Sequence, residues 1–171
     1  MGDKTQLLAL VLAARFRKPW PIVWGILMAT LVNHGVAGAA GAWITSFIGP
    51  QALRWILAGS FIAMAIWMLI PDQLDQGDSP AAPRLGVFGT TAIAFFLAEM
   101  GDKTQIATVM LAARYHAWFA VVAGTTLGMM LANAPVVWFG ERITRRVPLQ
   151  VVHVVSAVIF AGLGVTALVW G

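Results

Sequence analysis

The sequence contains no cysteine, and only 11% of its 171 residues are charged. The absence of cysteine excludes disulfide bonds, thiolate metal sites and cysteine nucleophiles. Ordinary soluble domains contain about 25% charged residues, so the low share of charge excludes a typical soluble domain. The formal net charge of +4 is not a nucleic-acid signature, because the basic residues lie in short segments between apolar runs.

Hydrophobic residues make up 60% of the chain, and several apolar runs are longer than the roughly 18 to 20 residues that cross a lipid bilayer. The sequence therefore predicts an all-α fold, a polytopic transmembrane helical bundle. A first apolar segment at 7–14 is short, about half a span. Full spans are predicted at 20–47, 53–70, 85–113, 118–139 and 149–170.

One polar stretch, residues 99–105, lies in the middle of an apolar run and contains two carboxylates, an ammonium, a hydroxyl and an amide. Residues 1–6 repeat residues 100–105 letter for letter, and the same offset of 99 residues aligns Phe61 with Phe160 without a gap. The chain is therefore predicted to contain an internal repeat.

The repeat divides the chain into a first three-helix repeat at 1–70, a linker at 71–84 and a second three-helix repeat at 85–171. Because each repeat holds an odd number of spans, the second is inverted relative to the first, as in many secondary transporters. Met1 corresponds to Met100, so nothing in the first repeat matches Glu99 or the helix before it. We expect a truncated first helix, from a start assigned at an internal methionine or from trimming; the alternative is a genuinely short, divergent first repeat.

The basic residues are unequally divided between the two sides of the predicted bundle. One side has seven basic residues, and the other side has only Arg54 and Arg114. The positive-inside rule places the richer side, with the linker, in the cytoplasm and both termini outside. The compact chain favours a bacterial inner membrane. The residues on the richer side are Arg15, Arg17, Lys18, Arg84, Arg142, Arg145 and Arg146.

The acidic residues of the repeated stretch predict a cation site. On a continuous helix Glu99 and Asp102 share a face, and Lys103 lies one turn from Glu99. Glu99 follows Leu85 by about 14 residues, or ~21 Å of helix rise, which is midplane depth. Carboxylates in the bilayer core are costly unless they bind a cation or proton, and hard cations such as Ca²⁺ and Mn²⁺ take oxygen ligands. The predicted ligands are Asp3, Thr5, Glu99, Asp102 and Thr104.

Other polar residues are predicted to surround this site. The two lysines either neutralise the empty site or lock the acids in place; the alternative is a pair of Asp–Lys contacts that only hold helices together. His34 corresponds to Asn133 in the repeat, and the alternative to a role beside the site is an interhelical hydrogen bond. The surrounding residues are Lys4, Gln6, His34, Lys103, Gln105 and Asn133.

The doubled motif E-x-G-D-K-T/S resembles the signature of the membrane family of Golgi and bacterial manganese/calcium–proton exchangers, formerly an uncharacterised protein family. The resemblance covers essentially the whole chain. It implies a six-span inverted-repeat fold and export of Mn²⁺ or Ca²⁺ in exchange for protons. Glu99, Asp102 and Thr104 match the second motif, and Asp3 and Thr5 match the first. The first glutamate has no counterpart, which leaves the implied site one carboxylate short.

The leading prediction is a secondary transporter that exports a divalent cation from the cytoplasm in exchange for protons. The predicted partners are the cation, protons and the lipid bilayer, with no nucleic acid and no assigned oligomeric state. The cation is the substrate, and no cofactor is predicted. An enzyme is not predicted, because no nucleophile–base set or cofactor motif is found. The alternatives are an exporter of a basic amino acid or other organic cation, a passive cation channel, and a non-transporting membrane scaffold.

Overall fold

The structure, a computed structural model, describes residues 3–70, 85–140 and 149–170, with only the backbone at positions 3, 149 and 170. The predicted linker at 71–84 and the basic loop at 141–148 lie outside these ranges. The described chain is all-helical, which confirms the predicted fold class. Its helices are α1 Asp3–Phe16, α2 Pro19–Thr45, α3 Pro50–Met68, α4 Gly86–Glu99, α5 Lys103–Tyr115, α6 Trp118–Phe139 and α7 Leu149–Trp170.

Four of the described helices are long and apolar enough to cross a bilayer: α2, α3, α6 and residues 150–169 of α7. A helix of 22 residues such as α6 rises about 33 Å, which exceeds the hydrocarbon thickness of a typical bilayer. Helix α4 is apolar but shorter, with 14 residues. The chain is therefore a multi-pass membrane protein.

The predicted span at 85–113 is not one continuous helix. Helix α4 ends at Glu99 and α5 begins at Lys103. Between them Gly101 has φ +74° and Met100 has an extended ψ of 122°. Left-handed backbone is accessible to glycine without steric cost, so Gly101 permits the chain to leave one helix and start the next. The prediction that Glu99, Asp102 and Lys103 lie on one continuous helix is wrong for this reason.

Helix α2 lies at the centre of the bundle and packs against α4, α5 and α6. Two glycines on α2 allow close approach of its neighbours. A Cβ at Gly25 would lie 2.8 Å from the Thr91 Cβ of α4, and one at Gly41 would lie 2.2 Å from the Val109 carbonyl oxygen of α5. Both halves of the broken helix, α4 and α5, therefore pack closely against α2.

The buried apolar side chains form two clusters. One joins α3, α5 and α7 and contains Phe61 and Phe160, whose ring centroids lie 6.1 Å apart. The other joins α1, α2, α4 and α6 and contains Ile26 and Phe95. The break between α4 and α5 thus falls where the chain passes from one cluster to the other.

Candidate functional site

The Glu99 carboxylate is buried at the end of α4, with only 1% of the residue exposed. Its two oxygens accept hydrogen bonds from two side chains of α2. Thr30 Oγ1 donates to Oε1 at 2.8 Å, and Asn33 Nδ2 donates to Oε2 at 3.2 Å. Both donors are neutral, so these contacts orient the carboxylate and leave its negative charge uncancelled.

Asp102 is the residue that immediately precedes α5. Its backbone is extended, with φ −74° and ψ 160°, and Thr104 Oγ1 donates a hydrogen bond to its Oδ2 at 2.8 Å. The first-turn N–H groups of a helix favour negative charge at this position. The Asp102 backbone N–H donates a hydrogen bond to the Glu99 carbonyl oxygen at 3.1 Å, so the two acidic residues are neighbours at the break. The break therefore gathers two carboxylates and one hydroxyl of the predicted ligands.

The Gln105 side chain forms hydrogen bonds with two groups at the break. Its Oε1 accepts a hydrogen bond from the Gly101 backbone N–H at 2.8 Å. Its Nε2 donates to Asn33 Oδ1 at 3.4 Å. The side chain therefore connects the irregular backbone at Gly101 with α2.

Lys103 is buried, and its described contacts are with the end of α3. Its Nζ donates a hydrogen bond to the Ile70 carbonyl oxygen and lies 5.6 Å from the centroid of the Trp67 ring. On an unbroken helix Lys103 would lie one turn from Glu99 on the same face. Because the helix ends at Glu99 and restarts at Lys103, the lysine is turned toward a different neighbour.

The first motif contacts α6. Thr5 is buried, and its Oγ1 lies 3.9 Å from Met129 Sδ. Gln6 Nε2 donates to the Ala132 carbonyl oxygen at 3.2 Å. Lys4 is half-buried in the first turn of α1. Asp3 begins α1, and its side chain lies outside the described part of the chain.

Within the described side chains, no group of three or more histidine, cysteine, aspartate and glutamate residues is close enough to hold a metal ion. The structure therefore brings together Glu99, Asp102 and Thr104, whereas the contacts of Thr5 are with α6. A single compact cage that contains ligands from both motifs is not present among the described residues.

His34 and Asn133 are both buried in the described structure. Asn133 Nδ2 donates to the carbonyl oxygen and the sulfur of Met129 on its own helix, each at 3.0 Å. Among the described residues, Asn133 therefore has hydrogen bonds only within its own helix. Neither ring nitrogen of His34 has a hydrogen-bond partner among the described residues, and the ring lies within electrostatic range of Asp102.

Sequence reasoning missed the two residues that hold Glu99. Thr30 gives no signal of its own, because threonine is common in transmembrane helices, where it can hydrogen-bond across to a neighbouring helix. Asn33 could have been recognised from the sequence, since a carboxamide in an apolar span needs a hydrogen-bond partner. Only the packing of α2 against α4 shows that the partner of both is Glu99.

The fold and the site together define a class of protein. The chain is a multi-pass membrane protein in which a broken apolar helix buries a carboxylate. Discontinuous helices that present backbone ends and acidic side chains inside the membrane are typical of secondary transporters.

Comparison with known proteins identifies the family. The family described as "Divalent cation/proton antiporter GDT1" matches residues 1–76 and 87–171. The chain belongs to this family of cation transporters. The resemblance seen in the doubled motif is confirmed, and the family is one of transporters, with a divalent cation as substrate, and not of enzymes.

Several curated proteins are similar over most of this chain. A Vibrio cholerae protein named "Putative manganese exporter" is 50% identical over 161 residues, 94% of this chain and 80% of the relative. GDT1-like protein sll0615 of Synechocystis is 24% identical over 94% of this chain and 86% of the relative. GDT1-like protein 3 of Arabidopsis thaliana is 32% identical over 98% of this chain and 65% of the relative. No solved structure gives a significant match.

Proposed function

We propose that this protein exports Mn²⁺ or Ca²⁺ from the cytoplasm in exchange for protons, and that Glu99 is the central ligand of the cation. The observation that carries the proposal is the buried Glu99 carboxylate, whose two oxygens are oriented by neutral donors at a helix break. A buried carboxylate that keeps its charge is costly in the membrane, and a cation or a proton removes that cost. Cation and proton therefore compete for the same oxygens.

The remaining predicted ligands contribute through the two motifs. Asp102 and Thr104 lie on the α5 side of the break and supply further oxygens. Asp3 and Thr5 belong to the first motif, whose described contacts are with α6. We assign them to the same transport pathway. Lys4, Gln6, Lys103, Gln105, His34 and Asn133 surround the ligands.

The inverted repeat supplies the geometry for alternating access. Helix α1 at Asp3–Phe16 corresponds, by the offset of the repeat, to α5 at Lys103–Tyr115, and α3 at Pro50–Met68 corresponds to α7 at Leu149–Trp170. The family matches two stretches of similar length, 1–76 and 87–171. These correspondences support repeats at 1–70 and 85–171. The positive-inside rule supports a cytoplasmic position for the linker between them. The 50% identical bacterial relative supports a bacterial inner membrane.

Manganese is the substrate that one relative supports. The Vibrio cholerae relative is named for manganese export, and the oxygen-rich donor set of the break accepts Mn²⁺ as well as Ca²⁺.

The experiment that tests the proposal is Mn²⁺ transport into sealed vesicles by purified wild type and by Glu99→Gln. Glutamine keeps the size of the side chain and removes its charge, so we expect the variant to fold and to lose Mn²⁺ transport. The matched control is the exposed Gln51→Glu at the start of α3, which changes the same two residue types away from the site and should transport normally. Full transport by Glu99→Gln would contradict the assignment.

A further inference from the structure

Two polar residues of α2, Thr30 and Asn33, are almost completely buried, with 0% and 2% of each residue exposed. They are three positions apart and therefore lie on one face of the helix. A buried hydroxyl or carboxamide is unfavourable in an apolar environment unless it is hydrogen-bonded. Both side chains donate a hydrogen bond to the same group, the Glu99 carboxylate, at 2.8 Å for Thr30 and 3.2 Å for Asn33.

Asn33 contacts both halves of the broken helix. Its Nδ2 donates to Glu99 Oε2 and to the Phe96 carbonyl oxygen of α4, the latter at 3.1 Å. Its Oδ1 accepts a hydrogen bond from Gln105 of α5 at 3.4 Å. Across the break the main chain keeps a hydrogen bond from the Asp102 N–H to the Glu99 carbonyl oxygen at 3.1 Å. The Asn33 side chain adds a further connection, because it holds α4 and α5 against α2 at the same point.

The equivalent positions of the other half show what is special about α2. By the offset of the repeat, Thr30 and Asn33 correspond to Met129 and Ala132 of α6. Gln6 contacts Ala132, as Gln105 contacts Asn33, so the two halves share this packing. At these two positions α2 has side chains that donate to the Glu99 carboxylate, whereas Met129 and Ala132 of α6 have no side-chain donor. The packing that the two halves share therefore does not require donors at these positions.

We propose that Thr30 and Asn33 are positioning residues of the transport site, which hold the Glu99 carboxylate in the orientation that receives the cation. Asn33 has the additional role of keeping α4 and α5 in register on α2. The assignment rests on the proposed function, because it concerns the same carboxylate. Neither residue belongs to the repeated motif.

The first test is the Mn²⁺ concentration at half-maximal transport in Thr30→Val, measured with purified protein in sealed vesicles. Valine has the same shape and lacks the hydroxyl, so the carboxylate loses one of its two side-chain donors. A hydrogen bond to a charged group contributes enough that we expect the half-saturating concentration to rise about tenfold or more. The maximal rate per folded transporter should change much less, because Glu99 itself remains.

Two further variants separate positioning from packing. Thr30→Ser restores the hydroxyl, so it should return the half-saturating concentration to within about twofold of wild type. Thr91→Val is the matched control, because Thr91 is equally buried on α4 and its Oγ1 has no hydrogen-bond partner among the described residues. It should bind Mn²⁺ as wild type does.

A second substitution, Asn33→Leu, tests the connection between the half-helices. Leucine fills the space but cannot bond Glu99, Phe96 or Gln105. We expect a rise in the half-saturating Mn²⁺ concentration larger than that of Thr30→Val, since Asn33 contacts both half-helices.

The outcomes distinguish this inference from the proposed function. If wild type transports Mn²⁺ and Thr30→Val binds it as tightly as wild type does, the positioning role is overturned and the function stands. An equal loss in Thr30→Val and Thr91→Val would also overturn it, because packing would then be the cause. If wild type moves no divalent cation, the proposed function fails and this assignment fails with it.

Discussion

At the scale of single residues, Lys103 shows how a motif residue can serve the fold. Its buried ammonium bonds the Ile70 carbonyl oxygen at the end of α3 and lies over the Trp67 ring. Ile70 lies two residues beyond the last residue of α3, so its carbonyl has no helical partner, and the C-terminal end of a helix favours a positive charge. Lys103 therefore attaches the site-bearing helix α5 to α3.

This attachment gives a prediction for stability. Lys103→Met keeps the aliphatic stem and removes the charged donor, so it should lower the free energy of unfolding by about 1.5–3 kcal/mol, the range for hydrogen bonds to charged groups. Lys18→Met, at an exposed position between α1 and α2, is the control and should change it by less than about 0.5 kcal/mol. Thermal unfolding in detergent measures both. Equal stability of the two variants would contradict the anchoring role.

Gly101 carries the conformation that ends α4 and allows α5 to begin. At its φ of +74° an L-residue is strained, so Gly101→Ala should cost about 1–2 kcal/mol. Gly59→Ala is the control, because a Cβ there meets no atom within 4 Å and its φ is ordinary. Denaturant unfolding compares the two. An unchanged midpoint for Gly101→Ala would mean that the break does not require glycine.

At the scale of elements, the contact between α2 and α5 depends on the absence of a side chain at Gly41. A Cβ there would lie 2.2 Å from the Val109 carbonyl oxygen, which is backbone and cannot move aside easily. The two helices must separate if the side chain grows, and Asn33 and Gln105 would separate with them.

The matched pair Gly41→Ala and Gly35→Ala tests this contact. Gly41→Ala should lower the free energy of unfolding by about 1–3 kcal/mol through overpacking. Gly35 lies on the same helix, and a Cβ there meets no atom within 4 Å, so alanine should be neutral or stabilise by up to ~1 kcal/mol through helix propensity. Thermal unfolding of both variants is the measurement. A stable Gly41→Ala would show that α2 and α5 do not pack this closely.

The sequence predicted the uninterrupted helices well and the interrupted one poorly. The spans expected at 118–139 and 149–170 are the residues that α6 and α7 occupy, because apolar runs bounded by charged or proline-containing segments define their own ends. The run at 85–113 has the same apolar character on both sides of the motif. Its break depends on the backbone at Gly101, which hydrophobic periodicity does not encode.

The candidate site was predictable only in part, for the same reason. The acidic residues stand out in an apolar run, so Glu99 and Asp102 could be found from the sequence. Their partners could not, because Thr30 and Asn33 lie about 70 residues away and contact Glu99 only through the packing of α2 on α4. The sequence also did not predict that the Lys103 side chain contacts the end of α3, because this contact depends on the break between α4 and α5.

At the scale of the whole molecule, the bundle consists of a central group around α2 and a pair formed by α3 and α7. The two groups are joined through α5, which packs on α2 on one side and on α3 on the other. Among the described helices, α5, which carries Thr104 and directly follows Asp102, therefore connects them. A relative movement of the two groups would act directly on the proposed cation site, as exchange between two open states requires.

The proposed orientation predicts which loops face the cytoplasm. The cysteine-free chain allows single cysteines to be labelled without background. Ser79→Cys in the linker should react with an impermeant thiol reagent only from the cytoplasmic side, and Ser46→Cys, which is exposed between α2 and α3, only from the other side. Labelling of inside-out and right-side-out vesicles measures this. Labelling of both residues from the same side would contradict the orientation.

The central claim is that one site exchanges a divalent cation for protons. The most direct measurement records proton and Mn²⁺ movement together in sealed vesicles that contain the purified wild-type protein. We expect Mn²⁺ added on one side to drive protons out of the opposite compartment, and an imposed proton gradient to drive Mn²⁺ against its own gradient. Both fluxes should disappear in Glu99→Gln. Mn²⁺ movement without proton movement, with the protein folded and inserted, would contradict exchange and indicate a passive channel.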